Sequence, residues 1–199
     1  MQNVNDSFRA LYYLYIEIAD GKWYKSYQAL QHFVFLFIFI LWILKPNRTF
    51  TKTFSLYFAI TSLAVCGAMN QIKQYVFAII FFLLSLVFLY DTIKGKSVYI
   101  FQPKRFWIFI FLIIGFWYPI YTKNPFLSPY GLLPQPTLLV ILSVMLLSKR
   151  KISRISSISV LIIGSFFGIY GFFYLKSTYD LFLMILVPIF FIFNLRKTP

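Results

Sequence analysis

The chain has 199 residues, of which 60% are hydrophobic and only 12% are charged. A soluble domain carries about 25% charged residues, so this composition excludes a soluble globular protein. The net charge is +14, but the basic residues lie in short clusters between apolar runs. They therefore indicate membrane topology, and we expect no nucleic-acid partner. The sequence predicts an all-α, polytopic helix bundle whose main partner is the lipid bilayer.

The N-terminal segment, residues 1–26, contains an amphipathic stretch. Its apolar side chains fall on one helical stripe, namely Phe8, Leu11, Tyr12, Tyr15 and Ile18 or Ala19. This pattern is typical of a helix that lies on the membrane surface, and equally of a solvent-facing helix that packs on the bundle. We interpret residues 1–26 as an amphipathic interfacial segment and leave the choice between the two open.

Residues 27–199 are expected to form one transmembrane domain of about seven helices. The predicted spans are 28–44, 54–70, 75–93, 106–121, 134–148, 155–175 and 181–195. Several are shorter than the ~20 residues that cross a ~30 Å hydrocarbon core, so they rely on interfacial aromatic residues at their ends. Seven such segments leave no room for a separate soluble domain.

Small residues predict close helix contacts in the second and sixth spans. The second contains Ser62, Cys66 and Gly67, and the sixth contains Gly164 and Gly168 in a Gly-x-x-x-Gly spacing. Because this spacing is common in membrane helices, we expect it to serve packing inside the monomer before any dimer contact. Whether the protein forms homo- or hetero-oligomers stays open.

The basic residues alternate between the two sides of the predicted bundle. Thirteen fall on the side of the loops 45–53, 94–105 and 149–154 and of the C-terminus, and six fall on the other side. By the positive-inside rule the C-terminus is cytoplasmic and the N-terminus is outside. An odd number of spans is needed for this arrangement, which independently favours seven.

Polar residues gather at the predicted outer ends of the helices: Gln31, His32, Asn70, Gln71, Tyr118, Tyr121, Gln135, Thr137, Tyr174, Tyr179 and Asp180. Six of them form our candidate ligand-binding set: His32, Asn70, Tyr118, Tyr121, Gln135 and Thr137. Membrane interfaces are enriched in such residues in any case, which is the competing explanation. His32 has no second ligand at a fixed spacing, so we expect no metal and no cofactor.

Acidic residues are rare, and none lies at the middle of a predicted span. Ion-coupled pumps and proton relays usually carry buried charges at that depth, so the sequence disfavours this class. Asp91, the one acidic residue on the inner side, lies three positions before Lys94. This spacing predicts an ion pair at a helix end.

The segment 119–137 contains five of the nine prolines. Its backbone must be extended or turned between about 122 and 133, because proline removes donors and blocks helix formation. The apolar run Thr137–Leu147 that follows is too short to span alone. Either the helix begins at Pro134 or Pro136, or the proline-rich stretch dips into the outer half of the bundle. The segment then forms either a site or a rigid plug.

The order of these features resembles a family of uncharacterised bacterial multi-pass membrane proteins, classed as a domain of unknown function. The resemblance rests on the Tyr-rich N-terminal segment, Asn70, the pair Tyr118-Pro119, and the run Tyr130 to Thr137. The family typically shows Pro-Cys-Pro-Thr where this chain has Pro-Gln-Pro-Thr, with Gln135 at the cysteine position. The resemblance implies the architecture and a bacterial cytoplasmic membrane, and it implies no reaction.

Two functions from different classes remain. The first is a binding or transport bundle for a small neutral or lipid-like molecule, with an outward-facing site under the segment 119–137. The alternative is a structural or regulatory subunit of a membrane assembly. A membrane-embedded enzyme would require His32 to meet Glu17, Asp20 or Asp180 in space; the sequence contains no catalytic signature, and we assign no catalytic residue.

Overall fold

A computed structural model describes residues 13–15, 17, 22–44, 49–118, 129–148 and 152–195. Its helices in chain order are α1 (Lys22–Leu44), α2 (Thr49–Gln71), α3 (Tyr75–Lys94), a 3-10 helix (Pro103–Ile108) leading into α4 (Phe109–Trp117), α5 (Pro134–Leu147), α6 (Arg154–Ile169) continuing as a π-helix (Tyr170–Tyr174), and α7 (Asp180–Phe190) continuing as a π-helix (Phe191–Leu195). In the described ranges the only pairing of extended backbone is the isolated bridge between Phe101 and Ser148. The predicted all-α class is therefore confirmed.

Four of these stretches are long and apolar enough to cross a membrane: Lys25–Leu44, Lys52–Gln71, Tyr75–Lys94 and Arg154–Tyr174. The apolar helices Pro134–Leu147 and Asp180–Phe193 are shorter. Large apolar side chains point outward, for example Phe33, Val76 and Ile162, which are 74%, 67% and 62% exposed. Apolar surface of this extent suits lipid and not water. The bundle is thus built for a membrane, and the count of seven spans stays a prediction.

One end of the bundle is held together around Asp91. The indole Nε1 of Trp42, near the end of α1, donates a hydrogen bond of 2.9 Å to the carbonyl oxygen of Tyr99. The backbone N–H of Ser153, just before α6, donates to Oγ of Ser97 at 2.9 Å. The end of α1, the segment after α3 and the start of α6 therefore lie side by side, and we name this region the Asp91 end.

Arg105 completes the Asp91 end. Its Nη1 donates to the carbonyl oxygens of Leu146 at 2.8 Å and Ser148 at 3.2 Å. These carbonyls at the end of α5 have no partner within the helix, so the guanidinium caps them. The guanidinium also lies 4.8 Å from the ring centroid of Phe193, beyond α7. The helix ends that flank the three predicted cytoplasmic loops are thus in contact with one another at this end.

The opposite end, which we name the Asp180 end, gathers the other helix termini. The phenol of Tyr118, directly after α4, donates a hydrogen bond to Oδ1 of Asp180 at the start of α7. The side chain of Gln31, in the first half of α1, lies against Gly131, just before α5. Successive helices therefore run alternately between the two ends.

Helix α5 is the centre of the bundle. Every residue from Pro129 to Ser148 is buried, and α5 packs against α2, α4, α6 and α7. Because α5 is apolar on all its faces, it can bury them only when other helices surround it. Its 14 residues begin at Pro134, where the missing N–H of proline costs no hydrogen bond. The helix therefore begins at Pro134, one of the starts left open for this segment. The preceding residues 129–133 are buried as well, and residues 119–128 lie outside the described ranges.

The glycines behave differently in the two spans that were predicted to pack closely. A Cβ at Gly168 would lie 3.0 Å from Cγ of Met184 in α7, and one at Gly164 would lie 3.2 Å from Cδ1 of Leu142 in α5. The Gly-x-x-x-Gly pair therefore faces neighbours inside the monomer. In the second span α2 does pack closely on α3, as shown by the hydrogen bond of 2.9 Å from Oγ of Ser85 to the carbonyl oxygen of Ala59. Gly67 has nothing within 4 Å of its Cβ position, so this contact does not run through Gly67.

Candidate functional site

The amide of Gln135 is fully buried in the first turn of α5. Neither Nε2 nor Oε1 has a hydrogen-bond partner. Its neighbours Pro134 and Pro136 fix the backbone and have no N–H of their own. A polar group with two donors and an acceptor is therefore held rigidly inside the bundle without being satisfied.

Gln31 of α1 brings a second such amide to the same turn. Its Nε2 and Oε1 also have no partner, and a Cβ at Gly131 would overlap with this amide. Gly131 has a φ of +76°, so glycine is required there both for the backbone and for the approach of Gln31. The Gly131 N–H donates to Oγ1 of Thr137 at 2.8 Å. We name Gln31, Gly131, Gln135 and Thr137 the amide site.

The amide site is costly as it stands. Buried polar groups in native proteins are nearly always hydrogen bonded, and each one left unsatisfied costs about 1–3 kcal/mol. Gln31 and Gln135 together present four such atoms. The amide site therefore concentrates unsatisfied donors and acceptors in one turn of the chain.

An aromatic wall adjoins the amide site. The ring of His32 packs edge-on against Phe116, with centroids 4.2 Å apart, and Phe116 lies 5.7 Å from Tyr130. Nδ1 of His32 lies 2.7 Å from the carbonyl oxygen of Gln28. Since a carbonyl only accepts, Nδ1 carries the proton in this arrangement, and Nε2 is left as an acceptor without a partner.

A second buried polar cluster surrounds Asp180, which is fully buried. Oδ1 accepts the hydrogen bond from Tyr118, while Oδ2 has no hydrogen-bond partner and would overlap with a Cβ at Gly171. Tyr15 of the N-terminal segment is also fully buried. Burial raises the pKa of the Tyr15 phenol, and the nearby Tyr170 and Asp180 raise it further. The described part of the N-terminal segment thus packs on the bundle near Asp180.

The six candidate residues do not form one group. Gln135 and Thr137 belong to the amide site, and His32 belongs to the aromatic wall beside it. Tyr118 belongs to the Asp180 cluster. Asn70 is exposed at the end of α2, and Tyr121 lies outside the described residues.

The sequence did not single out Gln31 and Asp180 as site residues. Both were recognised as polar residues at helix ends, but nothing in their spacing distinguishes them from neighbours such as Gln71, which is exposed. The signal that was available is the glycine that each one packs against, Gly131 for Gln31 and Gly171 for Asp180. This pattern can be recognised only when the positions of the helices relative to one another are known.

The Asp91 end differs from the expectation of a simple ion pair. Asp91 is buried, and its Oδ2 accepts hydrogen bonds from Ser97 and, at 2.9 Å, from Ser156. The side chain of Lys94 is exposed at the surface of the bundle. The carboxylate joins α3 to α6 through hydroxyl groups, so the predicted ion pair with Lys94 is wrong.

The described residues provide neither a cluster of metal ligands nor a hydrogen-bonded pair of His and carboxylate. These residues contain no group of three or more His, Cys, Asp and Glu side chains that could hold a metal ion. The hydrogen bonds of His32 and Asp180 go to Gln28 and Tyr118.

Comparison with known proteins found no family model, no curated protein and no solved structure that matches the chain. The resemblance to the multi-pass family with the Pro-Cys-Pro-Thr motif therefore stays a prediction.

Proposed function

We propose that the protein is a multi-pass integral membrane protein that binds or transports a small neutral or lipid-like molecule at the amide site. In this proposal residues 27–199 cross the bacterial cytoplasmic membrane about seven times. The Asp180 end and the N-terminus face outside, and the Asp91 end and the C-terminus face the cytoplasm. The charge asymmetry of the loops supports this orientation.

One observation carries the proposed ligand class: the two buried amides without hydrogen-bond partners. Amides pair best with uncharged groups that combine a donor and an acceptor, such as amides, hydroxyls or esters. The aromatic wall of Phe116, Tyr130 and His32 supplies the apolar side of such a pocket. Pockets for small molecules combine an apolar lining with a few polar groups in this way.

The test is to identify what the protein retains. Wild-type protein and the variant Gln135→Leu are purified in the same mild detergent, and their extracts are compared by mass spectrometry. We expect a small neutral molecule or a lipid to be enriched with the wild type and lost with Gln135→Leu, while expression and thermal stability stay near normal. Leucine has a similar size and removes only the amide.

The matched control is Gln71→Leu, the same substitution at an exposed residue of α2, which should retain the molecule. If neither variant changes the extract, the amide site binds nothing that survives purification and the proposal fails. A second protein that co-purifies with the wild type and both variants would then favour the alternative, a structural or regulatory subunit.

A further inference from the structure

The carboxyl of Asp180 is fully buried, and the described groups that contact it bring no positive charge. Oδ1 accepts from Tyr118, but Oδ2 has no partner. The buried hydroxyl of Ser177 lies beside the carboxyl. A carboxyl that is buried among hydroxyl groups without a cation is favoured in its neutral form.

The backbone around Asp180 departs from ordinary geometry on each side. Tyr118 has a φ of 36° and Lys176 has a φ of 56°, values that side chains other than glycine rarely adopt. The last turn of α6, Tyr170–Tyr174, is a π-helix, and its Gly171 faces Oδ2. Strained residues and π-helical turns concentrate at functional sites. Tyr118, which donates to Oδ1, and Gly171, which faces Oδ2, thus both belong to departures from ordinary helix geometry.

From this geometry we propose that Asp180 is a reversible proton-binding site of the folded protein. A proton from water bonds to Oδ2 and neutralises the carboxylate, and release returns it to the water on the same side. A neutral carboxyl suits a buried position whose described neighbours bring no positive charge. This site is separate from the amide site and does not depend on the identity of any ligand.

The groups that face Asp180 come from four elements. They are Tyr118 after α4, Tyr15 of the N-terminal segment, Tyr170 at the end of α6, and Ser177 with Tyr179 in the turn before α7. All are phenols or a hydroxyl, and Lys176, the cation of that turn, is exposed. Among the described residues no charged partner competes for the carboxyl.

Infrared spectroscopy tests the proposal directly. The detergent-solubilised wild type at neutral pH should show the C=O stretching band of a protonated carboxylic acid. The variant Asp180→Asn, which keeps the shape of the neutral acid, should lose this band, and Glu17→Gln, at an exposed carboxyl, should keep it. A wild-type spectrum without a band that Asp180→Asn removes would overturn the proposal.

A second variant keeps the test decisive if Asp180→Asn does not fold. Tyr118→Phe deletes only the hydroxyl that donates to Oδ1, so the band should persist and move to higher frequency, because hydrogen bonding to a C=O group lowers its stretching frequency. Raising the pH should remove the band reversibly. A band that neither moves in Tyr118→Phe nor responds to pH belongs to another group and contradicts the assignment.

Discussion

The two ends of the bundle each bury one aspartate, and they treat it differently. At the Asp91 end a single carboxylate oxygen accepts from the two hydroxyls of Ser97 and Ser156. At the Asp180 end the carboxyl accepts from one phenol, that of Tyr118. In both carboxyls the other oxygen, Oδ1 of Asp91 and Oδ2 of Asp180, has no hydrogen-bond partner among the described residues. The two aspartates therefore differ in what donates to them: serine hydroxyls that join α3 to α6 at Asp91, and a phenol that joins the end of α4 to α7 at Asp180.

The neighbours of the two aspartates differ as well. At the Asp91 end Arg105 and Trp42 donate to backbone carbonyls, although the Tyr99 hydroxyl and Oε1 of Gln102 have no partner in the described ranges. At the Asp180 end the side-chain amides of Gln31 and Gln135 have none. Both ends thus contain buried polar atoms without partners, and the Asp180 end differs by holding two whole amide groups in this state.

Removing Asp91 should give the largest loss of stability. The change Asp91→Ala leaves Ser97 and Ser156 without their acceptor and weakens the link from Ser97 to the backbone of Ser153. Hydrogen bonds to charged groups contribute about 1.5–3 kcal/mol each, so we expect a loss of about 3 kcal/mol. Thermal unfolding in detergent measures it. A melting temperature equal to that of the wild type would show that the Asp91 end is not held by this carboxylate.

Overpacking of Gly168 should come next. Leucine at this position would press on Met184 of α7, whose Cγ lies 3.0 Å and backbone nitrogen 3.3 Å from the Cβ position. We expect Gly168→Leu to destabilise the protein by about 1–3 kcal/mol. Gly67→Leu is the control, because its Cβ position is open. Equal melting temperatures for the two variants would contradict the close approach of α6 and α7.

A smaller substitution, Gly131→Ala, probes the Asp180 end. The added methyl group overlaps with the amide of Gln31 and forces a side chain onto a backbone with φ of +76°. We expect a loss of about 1–2 kcal/mol together with loss of the bound molecule. The double variant Gln31→Ala/Gly131→Ala separates the two causes, since it removes the overlap and keeps the backbone strain. A double variant no more stable than Gly131→Ala would show that the amide does not press on Gly131.

The comparison also shows where sequence reasoning succeeds. The positions of the helices follow from the apolar runs, and the start of α5 at Pro134 follows from the tolerance of a first helical turn for proline. These two features depend on local sequence and length. The complete burial of Gln135 does not follow from them, since the sequence predicted an outward-facing site there.

Burial of Gln31 and Asp180 could not be predicted in the same way. Membrane helices are apolar on several faces, so periodicity does not show which face meets a neighbour. Whether a polar residue at a helix end points inward is decided by tertiary contacts, here by Gly131 and Gly171. The same reasoning explains why Asp91 was assigned to Lys94: its partner Ser156 is 65 residues away in sequence.

The end of the bundle that faces the cytoplasm can be identified with substitutions that change stability least. Ser97 and Ser153 lie in the basic loops but are buried, so a cysteine there would resist labelling for reasons unrelated to sidedness. Lys104 at the Asp91 end and Thr178 at the Asp180 end are both exposed. Substitutions of exposed residues away from special features stay within about 0.5 kcal/mol.

In a Cys66→Ser background, the single variants Lys104→Cys and Thr178→Cys are treated with an impermeant thiol reagent in intact cells. Because basic loops are retained in the cytoplasm, we expect Thr178→Cys to react at once and Lys104→Cys to react only after the membrane is permeabilised. The reverse pattern would invert the topology. The Asp180 cluster would then exchange its proton with the cytoplasm, while the difference between the donors at the two aspartates would be unaffected.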